Sequence, residues 1–472
     1  MLLCLRIFSI AQNNEMPDTL SSSPAEKIVT RLNWLNVRNI VITGNKRTKE
    51  YIIKREMAIK AGDSILIPDL TKKLEIARQN IYNTLLFLSV KVEPIILNAF
   101  QFDIIVSVTE RPYIFPIPQF QLVDRSFDEW IVKHNGSLAR VNYGINFLHY
   151  NLSGRKDRLQ LSVTNGYTRN ISAYYNSPYS NPKLTEGFYV GAGFSQTREM
   201  PYKTTYDNTF AYFKNGGFVR NSWNIYGGYI VRKAIRKSEI FSAGFTHVSV
   251  SDTIITPNLN PRYFNSNSTN IGVLDLGYTV RYTNVNNILY PLTGRAGYMS
   301  LQKRGLGIKG GINMFSIEGE FDKYISLGNK WYTSMQFTGK IKLPFDQPFI
   351  NQRALGTNNA YLRGFEFFYI DGVAYTTAKF NLKREILNFT IPTFLKSKTY
   401  NKIPVKIFAK AFTDFGYVYS EELPISRLNN KLLYTGGFGI DVLTLYDIHI
   451  RLDYSLNKLG QQQLIVNNKS GF

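Results

Sequence analysis

The sequence predicts an α+β domain followed by a transmembrane antiparallel β-barrel of about 16 strands. Three observations predict it. Residues 36–112 carry helical periodicity between short strands. From about residue 116 the apolar period drops to two. The chain is also basic and aromatic, with 56 Lys+Arg against 34 Asp+Glu, 32 Phe and 31 Tyr among 472 residues. A formal net charge of +22 suits a polyanion, either nucleic acid or a phosphate-rich membrane. The aromatic content favours the membrane, because tyrosines gather where a ring has one wet and one apolar end.

The chain opens "MLLCLRIFSIAQNNE". Leu2 to Ile10 reads as a short signal-peptide core with cleavage near Ala11, but Arg6 interrupts it and no basic region precedes it. Residues 1–12 are therefore read as a truncated signal segment. Residues 13–35 are polar, with "SSSP" at 21–24, and read as a linker.

In 36–112, "NVRNIVITGN" gives a strand from Val37 to Ile42, closed by the Gly44-Asn45 turn. A first helix follows, with Tyr51, Ile52, Arg55, Met57 and Ile59 at helical spacing, Thr48 as N-cap and Gly62 past its end. A second helix has Pro68 in its first turn and a stripe of Leu70, Leu74, Ala77, Ile81 and Leu85. Phe87 follows it, then strands around "SVKVEPII" and "QFDIIVSVTE". This β-α-α-β-β order, with Gly44, Asn45, Thr48, Gly62, Phe87 and Glu110-Arg111, resembles a POTRA domain, the periplasmic module of outer-membrane assembly and secretion proteins.

Residues 113–136 read as a connecting segment and 137–472 as the barrel. In "DIHIRLDYSLN", Ile448, Ile450, Leu452, Tyr454 and Leu456 share one face and His449, Arg451, Asp453 and Ser455 the other. "NMFSIEGEFDKY" and "RLQLSVTNGY" alternate in the same way. Charge on the covered face suits a barrel with lipid outside and a wet lumen inside. An even strand number returns both chain ends to one side, so connections after odd strands belong to the far side; 251–270 and 344–373 fall there, and the turn at Tyr446-Asp447 falls on the near side.

Further motifs lie along the barrel: "ILYPLTGRAGYMSL" (288–301), "YLRGFE" (361–366), "FTDFG" (412–416), and "GGFGIDV" with "IHIRLDYS". Together they resemble the BamA/TamA-like outer-membrane assembly family, a single POTRA domain plus a 16-stranded barrel. The resemblance implies that the loop holding Arg363, Gly364 and Phe365 folds into the lumen and that its arginine pairs with an inner-wall acid. Alternation sends Val405, Ile407, Ala409 and Ala411 outward and Lys406, Lys410 and Asp414 inward. It likewise sends Ala378, Phe380 and Leu382 outward and Lys379, Asn381, Lys383 and Glu385 inward, with Asp441 and Asp453 also on inner faces. The partners expected for Arg363 are Asp414 first and Glu385 second. Asn381 stands where relatives carry an acid, so the expected anchor rests mainly on Asp414. The terminal Phe472 resembles the last-strand insertion signal of outer-membrane proteins.

The sequence offers no chemistry. Cys4 is the lone cysteine, and His134, His149, His247 and His449 lack metal-ligand spacing. "GLGIKGG" (305–311) lacks the strand-loop-helix setting of a phosphate loop. No cofactor, metal or catalysis is expected. The expected function is insertion of outer-membrane proteins, with a transporter of one protein or lipid as the alternative. The expected partners are unfolded β-barrel clients, accessory lipoproteins, outer-membrane lipid and lipopolysaccharide, not nucleic acid. The location expected is a Gram-negative-type outer membrane with the POTRA-like domain in the periplasm.

Overall fold

Strand β1 (Trp34–Thr43) starts the N-terminal sheet. Helix α1 (Glu50–Met57) follows and stops where Ala58 turns left-handed, so Ile59 lies beyond it. Thr48 does not cap this helix. Lys49 occupies the cap position with no side-chain bond, and the Thr48 hydroxyl is drawn instead to Tyr113 and Asn151. Strand β2 (Ser64–Leu66), helix α2 (Ile67–Tyr82), β3 (Phe87–Asn98) and β4 (Gln101–Glu110) complete the domain. The sheet order is β2-β1-β4-β3, with β1 and β4 parallel. The helices cover one face through Ile52, Ile53, Met57, Leu74, Ala77 and Ile81, packed on Val37, Phe87, Phe102 and Ile104. Leu85 has left the α2 stripe and sits at positive φ. The architecture is that of a computed structural model describing residues 33–122, 135, 137–306, 312–356, 360–392, 402–421, 426–444 and 449–467. Residues 1–32, Tyr446-Asp447 and Phe472 lie outside the described residues.

A single 16-stranded antiparallel sheet forms the barrel. Its first strand, β5 (Ile114–Leu122), lies inside the segment assigned above to a connector. Pro116 and Pro118 had hidden it, because proline removes a ladder donor and is tolerated in a strand chiefly at an edge. Next come β6 (Val141–Tyr150), β7 (Arg158–Gly166), β8 (Thr168–Ser177) and β9 (Glu186–Thr197). A side hairpin, β10 (Glu199–Thr204) and β11 (Phe210–Lys214), stands apart from the wall. The wall resumes with β12 (Arg220–Val231), β13 (Lys237–Val250), β14 (Asn270–Val285), β15 (Gly294–Arg304), β16 (Met314–Gly328) and β17 (Trp331–Leu343). After a short helix, α3 (Phe349–Gln352), a small pair, β18 (Arg353–Leu355) and β19 (Ile370–Asp371), brackets the arginine loop. The last wall strands are β20 (Ala374–Pro392), β21 (Lys402–Tyr419), β22 (Leu432–Leu443), β23 (His449–Asn457) and β24 (Gln462–Asn467). Among the described residues no ladder joins β24 back to β5.

Period-two alternation places the side chains. Leu161, Val163, Phe194, Ile225, Phe241, Phe321, Phe337, Phe415, Phe438 and Ile440 are exposed on the outer surface. Their partners Ser162, Ser316, Asp322, Gln336, Lys379, Lys410, Asp414 and Asp441 are buried inside. An apolar belt outside and a charged interior is the pattern of a wall surrounded by lipid. On β21 the expected outward set is imperfect: Ala411 is exposed, but Val405 is buried. The connections at 151–157, 178–185, 232–236 and 286–293 gather at the N-terminal domain. Connections 251–269 and 344–373 follow the seventh and eleventh wall strands and lie at the other end.

Candidate functional site

The loop between β17 and β20 enters the barrel. Arg363 is 2% exposed and Asp414, on β21, 0%. Arg363 Nε donates to Asp414 Oδ2 at 2.8 Å, and Nη2 donates to Oδ1. The Arg363 backbone N–H donates to the same carboxylate at 3.2 Å. This is the two-pronged guanidinium–carboxylate geometry that lysine cannot reproduce. The third prong, Nη1, donates to Asn381 Oδ1 on β20 at 2.5 Å. Asn381 in turn donates to Ser334 Oγ on β17 at 3.1 Å. Asn381 is thus a second anchor point despite lacking charge. An amide oxygen accepts the hydrogen bond, and Asp414 supplies the directly paired charge.

The spacing of "FTDFG" follows from the face it presents. Phe412, Asp414 and Gly416 all point inward. Phe412 lies under the guanidinium, with the ring centroid 4.0 Å from Arg363 Cζ. Gly416 makes room for Leu362, since a Cβ there would fall 2.4 Å from Leu362 Cδ1. On the loop, Gly364 has φ +78°, and a Cβ would meet Thr435 Oγ1 at 2.8 Å. Its carbonyl accepts from Asn457 Nδ2 at 2.6 Å. Only glycine fits both the backbone and the space. Phe365 is buried with Leu355, Leu362, Ile370, Val418 and Leu433.

Glu385 does not join this site. It faces Lys330, 3.6 Å away, near the turn between β16 and β17. β20 is long, and Glu385 lies four positions along it from Asn381, which carries its carboxylate out of reach of the loop. The expected Glu385 partner is therefore replaced by Asn381.

A second interior cluster escaped the sequence reading, although Asp441 and Asp453 were assigned inward. Lys410 Nζ lies 2.7 Å from Asp441 and 2.6 Å from Asp453. Tyr290 donates to Asp441 Oδ2 at 2.8 Å, and His449 and Lys383 stand at 3.5 and 3.6 Å. Tyr290 comes from the "ILYPLTG" connection, whose tight turn inserts the ring between Phe408 and His449. No period could reveal this, because the contacts join a turn to four distant strands.

In the N-terminal domain, Gly44 turns at φ +88° against the Val108 carbonyl, and Asn45 Nδ2 donates to the Thr48 carbonyl at 3.0 Å. Glu110 accepts from the N–H groups of Arg47 and Thr48. Gly62 lies at φ +91° after α1, and Phe87 is fully buried. This domain docks on the barrel through charge. Glu56 of α1, 2% exposed, takes two bonds from Arg232, at 2.6 and 3.0 Å, and one from the Tyr179 hydroxyl. The Arg232 guanidinium holds the Glu56 carboxyl at about 2, below its ordinary 4.5, against the opposing effect of burial. Arg55 donates to the carbonyls of Leu184 and Arg232. Asn83 bridges to the 286–293 connection through Val285 and Ile288. Charge alone could not mark Glu56 in the sequence, where it sits among ordinary helix-surface residues.

An α+β domain on a 16-stranded antiparallel barrel, with an Arg-Gly loop pinned inside, is the architecture that the sequence resemblance implied. Residues 35–111 match the family model "POTRA: Surface antigen variable number repeat", so the N-terminal domain is a POTRA domain. No curated protein matches the chain. Among solved structures the chain is similar to BamA from Haemophilus ducreyi lacking POTRA domains 1–3, at 16% identity and TM-score 0.49, covering 91% of this chain and 83% of that one. It is similar to CdiB from Escherichia coli at 12% identity and TM-score 0.48, covering 96% and 91%. CdiB from Acinetobacter baumannii is similar at 12% identity and TM-score 0.47, covering 92% and 73%.

Proposed function

We propose that this chain is an assembly factor that inserts proteins into a Gram-negative-type outer membrane. The POTRA domain stands in the periplasm and receives unfolded clients along its exposed edge strand, β3. The barrel seam then offers unpaired backbone groups as a template for the client's strands. The observation that carries this reading is the seam itself: among the described residues, β24 spans six residues and forms no ladder with β5. Arg363 and its partners hold the inner loop in place while the seam works. The reading assigns no catalysis and no cofactor; client folding supplies the free energy.

One observation favours a second reading, a transporter of one protein or lipid. The ladder from β5 to β6 runs unbroken across Pro116 and Pro118. The prolines must therefore occupy positions whose N–H would point away from β6, toward the seam. That edge lacks two donors and is a poor template. Depletion of the protein separates the readings. Loss of many unrelated barrels from the outer membrane supports insertion. Loss of a single secreted product, with the barrels intact, supports transport and rejects insertion.

A further inference from the structure

We propose that the junction between the POTRA domain and the barrel is a binding site for a phosphate group. A cavity of about 190 Å³ lies there. Glu56 and the α2 end of the POTRA domain form one wall; Lys156, Arg232, Arg236 and Arg281 come from the barrel. The charges do not balance. Glu56, on the wall, is already committed to Arg232 and Tyr179. Lys237, also on the wall, is paired with Glu239 at 2.7 Å. Among the described residues, no carboxylate lies within 4.0 Å of the charged nitrogens of Lys156, Arg236 or Arg281. Three cations without a directly paired carboxylate thus border one small cavity, with Glu56 acting on Lys156 and Glu320 on Arg281 only through space; Ser238 and Thr283 also line it.

A compact ligand with more than one negative charge and several acceptor oxygens fits this wall better than a single carboxylate. A phosphate monoester has both properties. The state of Lys156 supports the inference: burial, with Arg232 and Arg55 nearby, pushes its ammonium down to about 8 despite the help of Glu56. An anion in the cavity would relieve that repulsion. Arg236 and Lys237 stand where β13 meets its connection, at the rim of the apolar belt. A phospholipid headgroup is therefore one source of the phosphate, and free phosphate the other. The site rests on the POTRA–barrel arrangement and holds whether the protein inserts or transports.

The test is calorimetric titration of the full chain in a maltoside detergent, in chloride buffer at fixed ionic strength. One arm uses inorganic phosphate and the other dihexanoyl phosphatidic acid. Saturable one-to-one binding is expected in at least one arm, weakened about tenfold by Lys156→Gln and by Arg236→Gln. Lys431→Gln, at the opposite end of the barrel, should leave it unchanged. Binding of inorganic phosphate assigns the site to the free ion, and binding of the lipid alone assigns it to a headgroup. Absence of saturable binding in both arms overturns the proposal, as does binding that both site variants leave intact. Unheated gel mobility confirms that each variant keeps its barrel.

Discussion

Arg363 gathers two wall strands, β20 and β21, and its own loop onto a single guanidinium. Asp414 supplies the charge, Asn381 the third acceptor and Phe412 the ring beneath it. The sequence reading named Arg363 and Asp414 because alternation placed the acid inside and the motif resemblance placed the arginine near it. It discounted Asn381 by weighing charge alone, although a buried guanidinium also needs acceptors for its remaining N–H groups. It overvalued Glu385 because period two fixes the face of a residue but not its height along the barrel. Removing one member of a buried, bonded ion pair leaves the other stranded, at roughly 3–5 kcal/mol. Arg363→Ala and Asp414→Ala should therefore each lower the temperature at which the unheated barrel band converts to the unfolded band. The double variant should be no worse than either single one. Strictly additive shifts would show that the two do not act as a pair.

Among the elements, the long strands with strict alternation were the most legible, since lipid outside and a polar lumen inside impose period two on every crossing. The POTRA helices were nearly as clear, because their apolar stripes face one sheet. β5 was missed, and the reason is physical. Pro116 and Pro118 make it read as a linker, yet a strand with no neighbour on one side among the described residues tolerates both. Those same residues set how the seam behaves. Pro116→Val with Pro118→Val restores two N–H donors to the free edge of β5. Pairing with β24, or with any strand that enters the seam, should then strengthen. Cysteine pairs placed across β5 and β24 should cross-link faster in the double variant than in the parent. Equal or slower cross-linking would mean that the proline N–H positions do not border the seam.

For the whole molecule, the question is how firmly the POTRA domain is held over one end of the barrel. The sequence could not pose it, because the contacts join α1 to connections more than 100 residues away. Glu56 is the pivot. Its carboxyl is held at about 2 in the docked state and returns to about 4.5 when released. A carboxyl depressed in this way contributes stability fully above pH 4.5 and loses it as pH falls through 2. By linkage, that shift is worth roughly 3 kcal/mol of docking at neutral pH. Docking should be flat across pH 5–7, weaken progressively as pH falls from about 4.5 toward 2, and strengthen as Lys156 loses its proton above about pH 8. Glu56→Gln should remove the ionic part at every pH while leaving the POTRA core intact, since Ile52, Ile53 and Met57 carry the packing of α1. Hydrogen exchange at the 178–185 and 232–236 connections measures this directly. Faster exchange in Glu56→Gln at pH 7, with β1 and β4 still protected, is the expected result. Unchanged exchange at both connections would place the hold elsewhere, in the Asn83 bridge to the 286–293 connection.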